Sequence, residues 1–148
     1  MIRKYRKSDL SACAAVFCEA FGGAPWYEDW TAELAETRLA ELLGTPNSVG
    51  YVYIEDGEIC GLIAGRRLTY LNGEEYMVDE FCVLPEMQRG GIGGKLIEHA
   101  EKALAADGVA AIVLNTTKSF PAESFYMKNG FERVHGMIFM RKDIGKNT

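Results

Sequence analysis

The sequence is short of several things, and each shortage closes off a reading. Basic residues do not outnumber acidic ones: 16 Lys and Arg stand against 21 Asp and Glu, a net charge of −5. Apart from a small group near the start they are scattered, whereas phosphate-backbone contacts need concentrated Lys and Arg, so no nucleic-acid partner is expected. The 2 histidines, His99 and His135, have no partner at catalytic or ligand spacing and are read as structural. The 4 cysteines, Cys13, Cys18, Cys60 and Cys82, form no CxxC pair and each lies in an apolar stretch. They are read as reduced core residues, and no metal is expected. No stretch approaches the ~20 apolar residues that cross a membrane, and the charged opening MIRKYRKSDL precedes no apolar run of signal-peptide length. These absences predict a cytoplasmic protein without a membrane partner. No internal repeat or low-complexity segment occurs, only a short polar tail over 145–148.

What remains is the composition of an ordinary folded domain, 48% apolar and 25% charged. At 148 residues the chain is expected to form one domain, 1–148, with a proper core. An acidic surface draws cations, amines among them.

Periodicity gives the element order. Ile2 to Arg6 alternates as a short strand, and Ser8 or Asp9 can cap a helix carrying Leu10, Ala14, Phe17, Cys18 and Phe21. Gly22-Gly23 stops it. After a loop from Ala24 to Trp30, Thr31 or Asp29 caps a second helix with Leu34, Leu39, Leu42 and Leu43 as its buried stripe. Three antiparallel strands follow: Val49 to Ile54, Ile59 to Tyr70 and Glu75 to Val83, joined at Asp56-Gly57 and Asn72-Gly73, dipeptides that tolerate positive φ. A glycine-rich segment then opens a helix with Ile92, Leu96, Ile97, Ala100 and Leu104 on one side, closed at Asp107-Gly108. Ala110 to Leu114 is continuously apolar, as a parallel strand covered on both faces should be. A helix from Ala122 to Lys128, closed by Asn129-Gly130, and two terminal strands, Phe131 to Val134 and Met137 to Arg141, complete the order.

The stretch Gln88-Arg89-Gly90-Gly91-Ile92-Gly93-Gly94 lies between a strand and a helix. Bare backbone there lets a ligand approach closely, and the helix's first amides carry partial positive charge, which suits a pyrophosphate. Gly91-Ile92-Gly93 lacks the third glycine of a dinucleotide fingerprint. Gly94-Lys95 is followed by Leu96 where a nucleoside-triphosphate loop has Ser or Thr. A bland alternative stays open, in which the glycines serve only tight helix–sheet packing.

Gln88-x-x-Gly91-x-Gly93 resembles the [Arg/Gln]-x-x-Gly-x-[Gly/Ala] signature of the GNAT superfamily of N-acetyltransferases. The preceding PheCysValLeuProGlu looks like that family's fourth strand, and SerPheTyrMetLysAsnGlyPheGlu is similar to its Phe-Tyr-x-x-x-Gly-Phe. The resemblance covers most of the chain. It implies a single α/β (α+β) domain: a mixed, mostly antiparallel sheet of six to seven strands with about four helices, strands four and five splayed. It also implies acetyl-CoA as co-substrate, and it extends to this chain the homodimers that many members form.

Carried over by position, the resemblance implies that the backbone from Gln88 through Arg89, Gly90, Gly91, Ile92, Gly93 and Gly94 to Lys95 holds the pyrophosphate. The backbone of Phe81, Cys82 and Val83 would pair with the pantetheine arm, the Val83 amide meeting the thioester oxygen. An alkylamine of pKa near ~10.4 needs a base at neutral pH. Glu80 stands where relatives resembling aminoglycoside acetyltransferases carry one, with Asp79 second; Met77 occupies the acidic position of histone-type relatives. By alternation Glu80 and Asp79 face opposite ways. A merely structural Glu80 is the competing reading. Tyr126 occupies the position of the family's proton donor to the departing thiolate. Ser119 stands where relatives have an asparagine touching the coenzyme, and Asn115 is the nearby polar alternative. Trp26, Tyr27, Glu28 and Trp30 cluster in a loop that borders the acceptor pocket in this family, although two tryptophans can equally pin a loop. The implied reaction is acetyl transfer to a primary amine of a small molecule or peptide. The alternative from another class is a non-catalytic acyl-CoA sensor.

Overall fold

Asp56 and Gly57 take φ of 50° and 79°, the pair of positive values a two-residue hairpin needs. They join β2 (Ser48–Glu55) to β3 (Glu58–Tyr70). The second hairpin turns one residue earlier than the sequence suggested: Tyr70 pairs with Gly73, so Leu71 and Asn72 form the loop and Gly73 begins β4 (Gly73–Val83). The computed structural model describes residues 1–145, so the polar tail past Gly145 lies outside the described residues. These residues divide into two units, one from Met1 to Leu114 and one from Asn115 onward.

In the first unit, β1 (Ile2–Lys4), β2, β3, β4 and β5 (Ala111–Leu114) form one sheet in sequence order. The first three pairings are antiparallel and β4–β5 is parallel. The parallel step requires a crossover, supplied by α3 (Ile92–Ala106). Its expected stripe of Ile92, Leu96, Ile97, Ala100 and Leu104 is buried throughout. β5 differs from expectation: Ala111 is exposed and Ile112 to Leu114 are only half-buried, because this edge strand pairs with β4 alone.

α1 (Leu10–Gly22) and α2 (Ala32–Leu43) share an apolar core with Val52, Leu62, Ala64 and Cys82 of the sheet. Thr31 caps α2, its Oγ1 accepting from the Leu34 amide at 3.1 Å. Ala35 and Leu39 carry the burial on α2, while Leu34 is exposed. Asp9 precedes α1 without capping it through its side chain. Its carboxylate instead accepts a two-pronged Arg3 guanidinium at 2.8 and 2.9 Å and the Arg6 amide at 2.8 Å, tying β1 to the helix start and holding the Asp9 acid below its ordinary range.

The second unit contains α4 (Pro121–Lys128), ended by Asn129 and by Gly130 at φ 92°. The strands expected over Phe131 to Val134 and Met137 to Arg141 do not form, so the sheet has five strands, not six or seven. Val134, Met137, Ile138, Phe139 and Met140 are instead exposed. Their alternation suits a strand, but a strand forms only where a partner edge takes up its amides and carbonyls.

Candidate functional site

Immediately after β4 the chain makes a tight 3₁₀ turn, Pro85–Gly90, with the Met87 amide on the Leu84 carbonyl at 2.9 Å. The Gln88 side chain closes this turn: its Nε2 donates to the Val83 carbonyl at 3.1 Å. Gly91 then takes φ +77°, a left-handed value that favours glycine, and starts α3. Lys95 makes the first intrahelical bond, to the Gly91 carbonyl at 3.1 Å, so the amides of Ile92, Gly93 and Gly94 have no acceptor within the helix. No side chain caps them, and the first turn contains no acidic residue. A Cβ built on Gly90 or Gly91 meets nothing within 4 Å. The result is an exposed helix end lined by main chain and flanked by Arg89 and Lys95, whose partial and full positive charges suit two linked phosphates.

The strand leading into this turn has an open side. β5 pairs only with Glu75 to Val78 of β4, so β4 continues from Asp79 to Val83 without β5 beside it. Leu84 donates its amide to Cys60 of β3 at 2.8 Å; by alternation the Val83 amide points to the opposite, open side. An extended chain can therefore add to this edge of β4 as a further strand would.

At the start of the open stretch the strand bulges. Ala64 pairs with Glu80 and Gly65 with Val78, so Asp79 is an extra residue on β4. This breaks the alternation that had Asp79 and Glu80 facing opposite ways. Asp79 accepts two bonds from Arg66, at 2.7 and 2.9 Å, and Arg66 lies on the same side of β3 as Ala64, the side of α1 and α2. Glu80, directly opposite Ala64, accepts one bond from Nε of Arg38 on α2, at 2.6 Å. The Glu80 side chain is 14% exposed. Burial raises its pKa above the ordinary carboxylate value, opposed by the hydrogen bond and charge of Arg38. An acid so placed can exchange a proton nearer neutrality than a solvated glutamate.

The loop between α1 and α2 divides its expected residues. Trp30 packs edge-on against Phe17, centroids 4.8 Å apart, and donates Nε1 to Glu28 at 2.8 Å. Trp26 packs on Phe21 at 5.6 Å. Both tryptophans thus anchor the loop to α1, whereas Tyr27, at φ 50°, is 74% exposed. Glu28 is exposed as well, and its charge adds to the upward shift on Glu80, so the two carboxylates share one neighbourhood.

In the second unit Tyr126 lies between two rings, Phe125 at 5.5 Å and Phe131 at 5.4 Å. Ser119 does not cap α4 with its hydroxyl, since Phe120 is the capping residue and shows no side-chain bond. The Ser119 backbone, at φ 69°, instead donates to Glu123 at 2.8 Å, and Glu123 also accepts the Arg133 guanidinium. Asn115 is exposed directly after β5.

A family model described as an acetyltransferase (GNAT) domain matches residues 46–133, more than half of the chain. The chain belongs to the GNAT acetyltransferase family. One relative, the tRNA(Met) cytidine acetyltransferase TmcA of Aeropyrum pernix, is 33% identical over 97 residues, covering 60% of this chain and 13% of that much longer protein. Among solved structures, the chain is similar to AAC(6')-Iy in complex with a bisubstrate analogue, CoA-S-monomethyl-acetylneamine, at 20% identity over 97% of each chain with a TM-score of 0.75. It is also similar to a possible acetyltransferase from Clostridium difficile 630, at 16% identity over 97% of each chain with a TM-score of 0.82. At these identities the structural likenesses establish the GNAT fold.

Within this GNAT domain one residue stands out that the sequence did not disclose, and one that it did disclose has a further role. Arg38 was an ordinary helix position, 42 residues from the glutamate it binds. Gln88 matched the signature, but its side chain serves the turn itself. No helix of the described residues is long and apolar enough to cross a membrane.

Proposed function

We propose that this GNAT domain binds acetyl-CoA and transfers its acetyl group directly to a primary amine of a small molecule or peptide. The observation that carries this reading is the uncapped start of α3 immediately beyond the open stretch of β4. In it, the amides from Gln88 to Lys95 hold the pyrophosphate, Phe81 to Val83 take the pantetheine arm as an added strand, and the Val83 amide hydrogen-bonds the thioester oxygen as charge builds there. Asn115 and Ser119 are the further candidates for contact with the coenzyme.

Glu80 acts as the base. It removes a proton from the acceptor ammonium, the freed nitrogen lone pair attacks the thioester carbonyl carbon, and the carbon–sulfur bond breaks as the nitrogen gives up its second proton to water and the amide forms. The departing thiolate needs a proton, and the Tyr126 phenol is the candidate donor that the resemblance implies: its ordinary pKa of ~10 lies above that of a thiol at ~8.5, and water restores its proton. The exposed Tyr27 and Glu28, with Trp26 and Trp30 behind them, offer a cation a carboxylate and aromatic faces on the acceptor side. The bisubstrate analogue in the complex of AAC(6')-Iy joins coenzyme A to an acetylneamine, which supports an amine as acceptor. Four free cysteines fit a reducing, cytoplasmic setting.

Calorimetric titration with acetyl-CoA, together with a thiol-release assay over a panel of amines, tests this function. Saturable acetyl-CoA binding and amine-dependent thiol release are expected. Absence of binding by both coenzyme A and acetyl-CoA at millimolar concentration contradicts it.

A further inference from the structure

The ion pair between α2 and the β4 bulge assigns a second residue to the reaction. This step rests on the reading of Glu80 as the base and adds how that base is kept ready. Glu80 lies on the bulged strand with 14% of its side chain exposed, opposite Ala64, which has no exposed surface. A carboxylate in such surroundings without a counter-charge takes up a proton or swings toward water. We propose that Arg38 is the positioning residue of this domain: its Nε, 2.6 Å from Oε2, fixes the direction of the Glu80 carboxylate and keeps it ionised, leaving Oε1 outside the bond to receive the acceptor's ammonium proton.

The geometry suits that role better than a purely structural one. A two-pronged pair, like Arg66 on Asp79 at 2.7 and 2.9 Å, occupies both carboxylate oxygens. The Arg38 contact is made through a single nitrogen to a single oxygen. The Arg38 side chain is 42% exposed and that of Glu80 14%, so solvent reaches the pair mainly from the guanidinium side while the carboxylate keeps some exposed surface.

The charged and titratable groups around Glu80 all bear on its proton. Arg38 comes from α2, Glu28 from the loop between α1 and α2, and Asp79 from β4 itself, its charge matched by Arg66 of β3. Cys82 of β4, which feels the Glu80 charge, is a buried thiol kept protonated by burial and adds no charge of its own. Of these, only Arg38 favours the ionised form of Glu80; burial, Glu28 and Asp79 favour the neutral one. Removing Arg38 therefore raises the pH at which Glu80 loses its proton.

The test compares R38Q, R38K and E80Q in the full chain, after circular dichroism shows that each is folded. Carboxyl-carbon NMR of Glu80, without coenzyme, reads the ion pair independently of activity. The Glu80 midpoint is expected to rise by about one pH unit or more in R38Q and to return part of the way in R38K. The acid limb of kcat/KM for the amine should move upward by the same amount, with acetyl-CoA affinity unchanged. A Glu80 midpoint in R38Q within a few tenths of the wild-type value overturns the role of Arg38. An acid limb that survives in E80Q overturns instead the reading of Glu80 as base, so the two failures are told apart.

Discussion

Gln88 donates its side-chain amide to the backbone carbonyl of Val83, 3.1 Å away. The residue that marks the family signature thus holds the corner between the strand proposed to carry the pantetheine arm and the turn proposed to carry the phosphates. One neutral hydrogen bond of this kind is worth about 1 kcal/mol. Gln88→Ala is expected to weaken acetyl-CoA binding roughly fivefold, read by calorimetry, while leaving the amine's KM unchanged.

Two neighbouring glycines separate backbone strain from ligand access. Gly91 is held at φ +77°, where a side chain costs about 1–2 kcal/mol. Gly91→Ala should lower the melting temperature by roughly 2 to 8 °C and weaken acetyl-CoA binding. Gly90 is as open to added atoms as Gly91 but not in the left-handed region. Gly90→Ala should leave the melting temperature within about 2 °C yet still reduce affinity, by crowding the phosphates. Thermal melts and titrations on the two variants distinguish these effects.

Gly65 faces the opposite demand. A Cβ there would lie 2.4 Å from Cζ of Tyr76 and 2.5 Å from the Met77 carbonyl oxygen, and the Tyr76 hydroxyl is fixed on the Val49 carbonyl at 2.6 Å. Gly65→Ala is expected to destabilise the domain by about 1–3 kcal/mol, measured by denaturant unfolding, because the ring or the strand must move. As Gly65 adjoins the bulge at Asp79, the same variant should depress turnover by displacing Glu80.

Acid should act on the second unit through Glu123. The Arg133 guanidinium, with the Ser119 amide, holds the Glu123 carboxyl at about 2, below its ordinary value near ~4.3. A carboxylate whose pKa is depressed by folding stabilises the fold above its unfolded pKa. That contribution fades as pH falls from about 4 toward 2. Carboxyl NMR should place the Glu123 midpoint near 2 in the wild type and close to the ordinary value in Arg133→Gln. The protection of the Ser119 amide, its exchange rate relative to that of an unstructured peptide at the same pH, should fall over the same acid range in the wild type.

The sequence was most informative where one element's own pattern decided its fate. The stripe from Ile92 to Leu104 repeats at helical spacing and is buried entire; Asp56-Gly57 carried its turn in two residues. The bulge at Asp79 was not legible, since the segment from Glu75 to Val83 reads as one strand and only its pairing with β3 shows the extra residue. Nor could spacing reveal Arg38, brought to Glu80 only when α2 settles on the sheet. The terminal segments from Phe131 had strand-like alternation, yet pairing depends on an edge elsewhere that local pattern does not specify. Trp26 and Trp30 were ambiguous in the sequence, and their ring contacts with Phe21 and Phe17 show them anchoring the loop.

A crystal of the domain soaked with coenzyme A bears most directly on the proposed site. Pyrophosphate oxygens are expected within about 3 Å of the amides between Ile92 and Lys95, with the pantetheine arm extended along Phe81 to Val83. Coenzyme bound elsewhere, with the start of α3 empty or filled by side chains, contradicts it.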